Sequence, residues 1–260
     1  MASKLIGSAI AIAVGLCSAP ASAKEKELTP EEQAAAAQAA AELRAANENA
    51  VAQLTSEFGL TPISAPADGC ELHLWPAERM TSQTTGLLGG GLLDAMIHSG
   101  TDANNKTLIS SALDSPSQLD ALLQLDLRKE LSLSPGTTIL LHAQPIERKT
   151  MNKVKTRRSE SQATCYSELI VADVFYQKAM IYGRSLRTLF MFRDFGDDQK
   201  IDTEYKAWGG NGLSLFPPKE GEDAVAALDE LVTKYQLNFT EYANNARKKL
   251  ASKSRKKKTA

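Results

Sequence analysis

Cysteine, histidine and tryptophan are scarce in this chain, with three, three and two residues respectively among 260. That scarcity excludes a disulfide-dense scaffold and any zinc module built on repeated cysteine pairs. No Cys-x-x-Cys occurs, so a redox dithiol of the usual kind is missing. Long apolar runs are missing as well. The longest, Leu5 to Leu16, falls short of the roughly 20 apolar residues that a membrane-spanning helix needs.

The familiar catalytic signatures are also absent. Gly183-Arg184-Ser185-Leu186-Arg187 fails as a nucleophile elbow at its last position. Gly89-Gly90-Gly91 has no following Lys-Ser or Lys-Thr to hold a phosphate. Asp194-Phe195-Gly196 matches a kinase metal-binding tripeptide by chance, since neither the catalytic loop nor the glycine-rich loop of a kinase accompanies it. No cofactor is therefore expected.

What the chain does have is a graded organisation. Residues 1–23 read as a secretory leader, with Lys4 in a basic start, the Leu5 to Leu16 apolar stretch, and Ala21-Ser22-Ala23 as cleavage site. Bulky Leu16 before Cys17 argues against a lipoprotein box. The mature chain is expected to begin at Lys24 and to be soluble, in the periplasm or secreted. Residues 24–59 read as an Ala-rich helix that Thr29-Pro30-Glu31-Glu32 starts and Gly59 stops.

Residues 60–246 read as one α+β domain with a mixed or antiparallel sheet of about four strands. Its centre is a long hairpin. From Cys165 to Tyr176, and again from Ser185 to Phe195, apolar residues occupy both alternating faces, the mark of strands covered on both sides, and Gly183 permits the reversal between them. Cys165, Leu169, Val171 and Phe175 fall on one face of the first strand, Tyr166, Ile170, Ala172 and Val174 on the other. Cys70 to Trp75 alternates as an earlier strand stopped by Pro76, and Thr137 to Ala143 as another.

Leu92 to His98 is expected as a short helix, and Ser115-Pro116-Ser117-Gln118 as a second helix start. Residues 147–162 are polar and basic and read as a mobile loop. Trp208 to Phe216 reads as a polar, glycine-containing connection. A helix from about Glu222 to Ala243 carries Val225, Leu228, Val232, Tyr235, Phe239 and Tyr242 as one apolar seam.

Four groups of residues are functional candidates. Cys70 and Cys165 each open a strand and are expected to form a disulfide. His73, His98 and His142 are the material for a metal-dependent enzyme or hydrolase, although their spacing matches no metal motif, so no metal site is expected. Glu71 and Glu168 are a possible acid–base pair, more simply read as facing solvent or pairing with Arg187. Arg187 and Arg193, flanking the most apolar window, read as gatekeepers against aggregation.

Charge supplies a further group. Arg247, Lys248, Lys249, Lys253, Arg255, Lys256, Lys257 and Lys258 place eight of the thirty basic residues in the last fourteen positions. An acidic body of about −10 thus carries a basic segment, residues 247–260, that is expected to be disordered. In an exported protein that segment meets anionic lipid or wall polymer first, so nucleic acid is not the expected partner. The function that follows is non-catalytic binding or scaffolding of envelope components, with a histidine-using hydrolase or metal-dependent enzyme as the alternative.

Overall fold

The computed structural model describes residues 69–85 and 92–258, together with Gln38. The leader, the Ala-rich helix apart from Gln38, and residues 60–68 lie outside those residues, as does the glycine-rich stretch 86–91. From Gly69 onward the described residues belong to one compact unit with a mixed sheet and packed helices, an α+β domain.

The hairpin is the centre of that sheet. Strand β4 (Cys165–Ala179) and β5 (Gly183–Gly196) pair antiparallel along almost their whole length. Gly183 makes the turn with φ +72°, a conformation that side chains with a Cβ rarely adopt. On the other edge of β4, β1 (Cys70–Trp75) and β2 (Met80–Thr85) lie end to end, both parallel to it. Pro76, which has no N–H for the ladder, falls at the break between them. β3 (Thr138–Leu141) pairs parallel outside β1, and β6 (Thr203–Gly212) antiparallel outside β5. The sheet therefore has six strands rather than about four.

Both additional strands, β2 and β6, have sequences without apolar alternation. β2, Met-Thr-Ser-Gln-Thr-Thr, is held by Asp102, which accepts from Ser82 Oγ at 2.9 Å, Thr84 Oγ1 at 2.8 Å and Thr84 N at 3.0 Å. β6 contains the glycines that suggested a connection. Their role is close approach: a Cβ on Gly209 would stand 2.0 Å from the Asn238 carbonyl oxygen of the long C-terminal helix. Gly209→Ala is thus expected to lower stability by about 1–3 kcal/mol, because helix and strand must separate. Urea unfolding checks this, and an unchanged midpoint would show that the backbones are not in contact.

From Gly69 onward the described residues include five helices: α1 (Leu92–Ala112), α2 (Ser115–Leu123), α3 (Leu127–Leu131), α4 (Arg148–Met151) and α5 (Ala224–Lys258). α1 continues well past His98. α2 is capped by Asp114, whose side chain accepts from Ser117 N, rather than by Ser115. The buried Gln118 accepts from Ala77 N and donates to Leu113 O, tying the β1–β2 break to the helices.

On α5 the buried seam is Ala227, Leu231, Tyr235, Phe239, Tyr242 and Ala246, whereas Val225 is exposed. The helix also continues beyond Ala243 to Lys258, through most of the segment expected to be disordered. Two of its basic residues explain how it starts to do so. Arg247 donates to Lys129 O and pairs with Glu130, and Lys249 lies over the Tyr205 ring.

The main core lies between the sheet and α1, α2 and α5. Leu72, Leu74, Leu169, Val171, Val174, Tyr176, Phe190 and Phe192 are its sheet side. Strict alternation would put Val171 and Val174 on opposite faces. A bulge at Ala172, between the pairs Val171–Phe190 and Asp173–Leu189, shifts the phase and brings both to the helices.

Candidate functional site

The opposite face of β1, β4 and β5 carries Glu71, His73 and Trp75, then Tyr166, Glu168 and Ile170, then Met191 and Arg193. Register places these side by side, with His73 opposite Glu168 and Glu168 opposite Arg193. Residues 144–163, including α4, lie across this face as a strap. The stretch read as a mobile loop is therefore an ordered cover. Ile146 and Met151 anchor it apolarly, against Trp75, Ile170, Ala172 and Met191.

Apart from an isolated antiparallel bridge between Thr156 and Lys200, the strap pairs with none of the described strands, and the arginines supply donors to its carbonyls. Arg193 is fully buried and donates to Val154 O and Met151 O at 3.1 Å each and to Glu204 at 2.8 Å. Arg158 donates its backbone N–H to Glu168 at 2.9 Å and its guanidinium to Met151 O at 2.7 Å. Arg157, stacked 4.9 Å over the Tyr166 ring, reaches the carbonyls of Asp198, Gly196, Ala163 and Ser161. At the strap's other end Asp173 accepts from Arg79 at 2.6 Å and Arg148 at 3.3 Å.

These positions correct three readings. Arg193 is a buried structural ion rather than a gatekeeper. Glu168 faces neither solvent nor Arg187; it is fully buried with Arg158 at 3.7 Å, Arg193 at 3.9 Å and the Tyr166 hydroxyl at 3.1 Å. Burial pushes its carboxyl upward, against the Arg158 backbone N–H and both guanidiniums. Arg187 instead lies over Trp208.

Cys70 and Cys165 are register partners on β1 and β4 and are joined by a disulfide, with α-carbons 4.5 Å apart. Just inside it, Glu71, His73 and His142 form a chain. His73 Nε2 lies 3.0 Å from Glu71 and Nδ1 lies 2.8 Å from His142 Nε2, while His142 stacks on Trp75 at 4.1 Å. Ser161 Oγ donates to the same Glu71 oxygen, and Ser159 Oγ is 3.4 Å from His73 Nε2.

Burial would raise the Glu71 carboxyl, but bonds from Ser161 and His73 outweigh it and hold it below the usual range. An ionised Glu71 needs the proton on His73 Nε2, which leaves Nδ1 to accept from His142. In that arrangement His73 presents no free nitrogen to Ser159, so the serine has no base to activate it. Nor do the two imidazoles converge on a common point, since at 2.8 Å they bond to each other. His98 lies on α1, in the helical layer across the sheet. Among the described residues no group of three His, Cys, Asp or Glu side chains is arranged to hold a metal ion.

Burial, and then His73, lower the pKa of His142 to about 3. An unfolded histidine titrates near 6.5, so between these values the unfolded chain binds a proton that the folded one refuses. Stability from His142 is complete above pH 6.5 and falls as the pH falls, by about 1.4 kcal/mol per unit. His73, also lowered by burial, acts in the same direction. Urea unfolding at pH 5 is expected to show a loss of about 2 kcal/mol or more relative to pH 7. H142Q should reduce that loss, and equal stability at both pH values would mean that the imidazoles are not buried neutral.

No family model and no curated protein matches the chain. Among solved structures, a hypothetical protein from Chlamydia trachomatis aligns over 72% of this chain and 96% of its own, at 9% identity and TM-score 0.31. A second structure, of an uncharacterised protein, aligns over 70% of this chain and 94% of its own, at 14% identity and TM-score 0.25.

Proposed function

We propose that this is an exported, non-catalytic protein that settles on anionic surfaces of the cell envelope through the basic end of α5. The observation that carries the reading is the continuity of that helix. Tyr235, Phe239 and Tyr242, fully buried, root it in the core, and beyond Ala246 the same helix carries eight cations and no acid as far as Lys258. Arg247 and Lys249 lie against the body, so the helix that continues past them is supported at its base. The disulfide favours an oxidising compartment, in agreement with the leader. The Glu71–His73–His142 chain under the strap is engaged in its own bonds, which supports a structural role for it. Among the described residues no helix is long and apolar enough to cross a membrane.

Each Lys or Arg near an anionic membrane contributes on the order of 1 kcal/mol. Ending the chain at Lys249 removes Lys253, Arg255, Lys256, Lys257 and Lys258 and spares the docked residues. At low salt this is expected to weaken binding to phosphatidylglycerol-containing vesicles on the order of a thousandfold, with the melting temperature unchanged. Equal sedimentation of the shortened and complete proteins would overturn the reading.

A further inference from the structure

Hairpin turns are normally built from Gly, Asn and Asp, because these residues accept the required backbone angles and prefer water. The turn between β4 and β5 is Met180-Ile181-Tyr182, exposed by 67, 87 and 89%. Its surroundings are as unusual. Lys178 and Arg184 are direct register partners across the hairpin, and like charges so placed destabilise a strand pair. From Val174 to Phe192 the two strands carry no acidic residue that would offset them.

Lys219 adds a third cation. It lines a cleft of about 440 Å³ with Lys178, Arg184, Met180, Pro217 and Pro218. Part of this charge is already engaged: Lys219 pairs with Glu222 at 3.4 Å, and Arg184 donates to Ser214 O. The tip is also remote from the basic end of α5. Ser214, beside Arg184, bonds to Glu230 early in the helix, whereas Lys249 sits over Tyr205. Those two helix positions are roughly 30 Å apart along the axis.

We infer that the β4–β5 tip is a lipid-insertion element. Met180, Ile181 and Tyr182 enter the interfacial layer of an anionic bilayer while Lys178, Arg184 and Lys219 meet its phosphates. An exposed apolar apex behind a net basic collar, in which Glu222 offsets part of the charge of Lys219 and Arg184, fits a flat, fluid, anionic surface, into which the side chains can sink on every side. Tyrosine favours that depth, with its ring among acyl carbons and its hydroxyl at the headgroups. This rests on the anionic-surface reading and adds a second, separately removable contact to it.

The test uses the exported protein and vesicles of equal parts phosphatidylcholine and phosphatidylglycerol. In Y182W the difference emission against the parent should shift to the blue on binding and be quenched by lipids brominated in the acyl chains. M180S/I181S/Y182S should bind on the order of a thousandfold more weakly, since each of the three apolar side chains leaving water is worth about tenfold. Its melting temperature should not change. If the parent sediments while the indole of Y182W stays in water, or if the triple variant binds like the parent, the insertion is wrong and the basic helix end alone accounts for binding. If the parent does not sediment, both readings fall. A triple variant that does not fold leaves the decision with Y182W, which removes no apolar surface.

Discussion

Replacing Arg193 with methionine is expected to destabilise the protein by about 3–5 kcal/mol, more than any other single change on the strap side of the sheet. The size follows from what remains. Glu168 is fully buried, and without Arg193 it keeps only Arg158 as a counter-ion. The Val154 carbonyl loses its side-chain donor, a loss that costs on the order of 1–3 kcal/mol where water does not replace it, whereas the Met151 carbonyl keeps the bond from Arg158. Methionine fills much of the volume, so the effect isolates charge and hydrogen bonding from packing. Adding Glu168→Gln should recover part of the loss, because the buried charge disappears with its partner. Urea unfolding of the two variants decides it. A loss below about 1 kcal/mol in R193M would mean that the guanidinium is solvated and the strap loosely seated.

Breaking the Cys70–Cys165 bond is expected to cost a similar amount by a different route. The bond closes a loop of 95 residues, which on the chain-entropy account is worth roughly 4–5 kcal/mol through the unfolded state. For a domain of this size the melting temperature should fall on the order of 10 °C. The native sheet should persist, since β1 and β4 are also paired along six consecutive residues from Cys70 to Trp75. Thermal unfolding with and without reductant measures this. Unchanged melting after verified reduction would show that the cysteines contribute nothing as a crosslink.

The elements legible in the sequence are those whose residues carry their own signal. The β4–β5 hairpin announces itself by apolar residues on both faces, and the pairing of Cys70 with Cys165 by two cysteines that open strands. β2 and β6 are not legible, because Thr-rich and Gly-rich segments become strands here through partners distant in sequence, Asp102 for one and Asn238 for the other. The bulge at Ala172 is likewise invisible to alternation. It is needed because Val174 must face the helices while Asp173 serves Arg79 and Arg148 on the strap side.

The polar cluster is half legible. Glu71, His73, Glu168 and His142 stand out as chemistry-bearing residues, and the parallel pairing of β1 with β3 does bring His73 to His142. The strap itself does not stand out, since a basic stretch reads as solvated until its arginines find carbonyls to bind. One signal is available: Arg157 and Arg158 are followed closely by Ser159 and Ser161, short donors that suit an irregular backbone. The hairpin tip has a plainer signal, three apolar residues where a turn favours glycine or asparagine.

The affinity of the protein lacking residues 1–23 for phosphatidylglycerol vesicles as salt is raised tests the anionic-surface proposal most directly. Attraction between basic residues and an anionic surface is screened as the Debye length shrinks, from about 30 Å at 0.01 M to about 8 Å at 0.15 M. The account predicts tight binding at low salt, a steep fall toward physiological salt, and little binding at any salt to vesicles of phosphatidylcholine alone. Equal affinity for neutral and anionic vesicles, or an affinity that salt does not change, would contradict it.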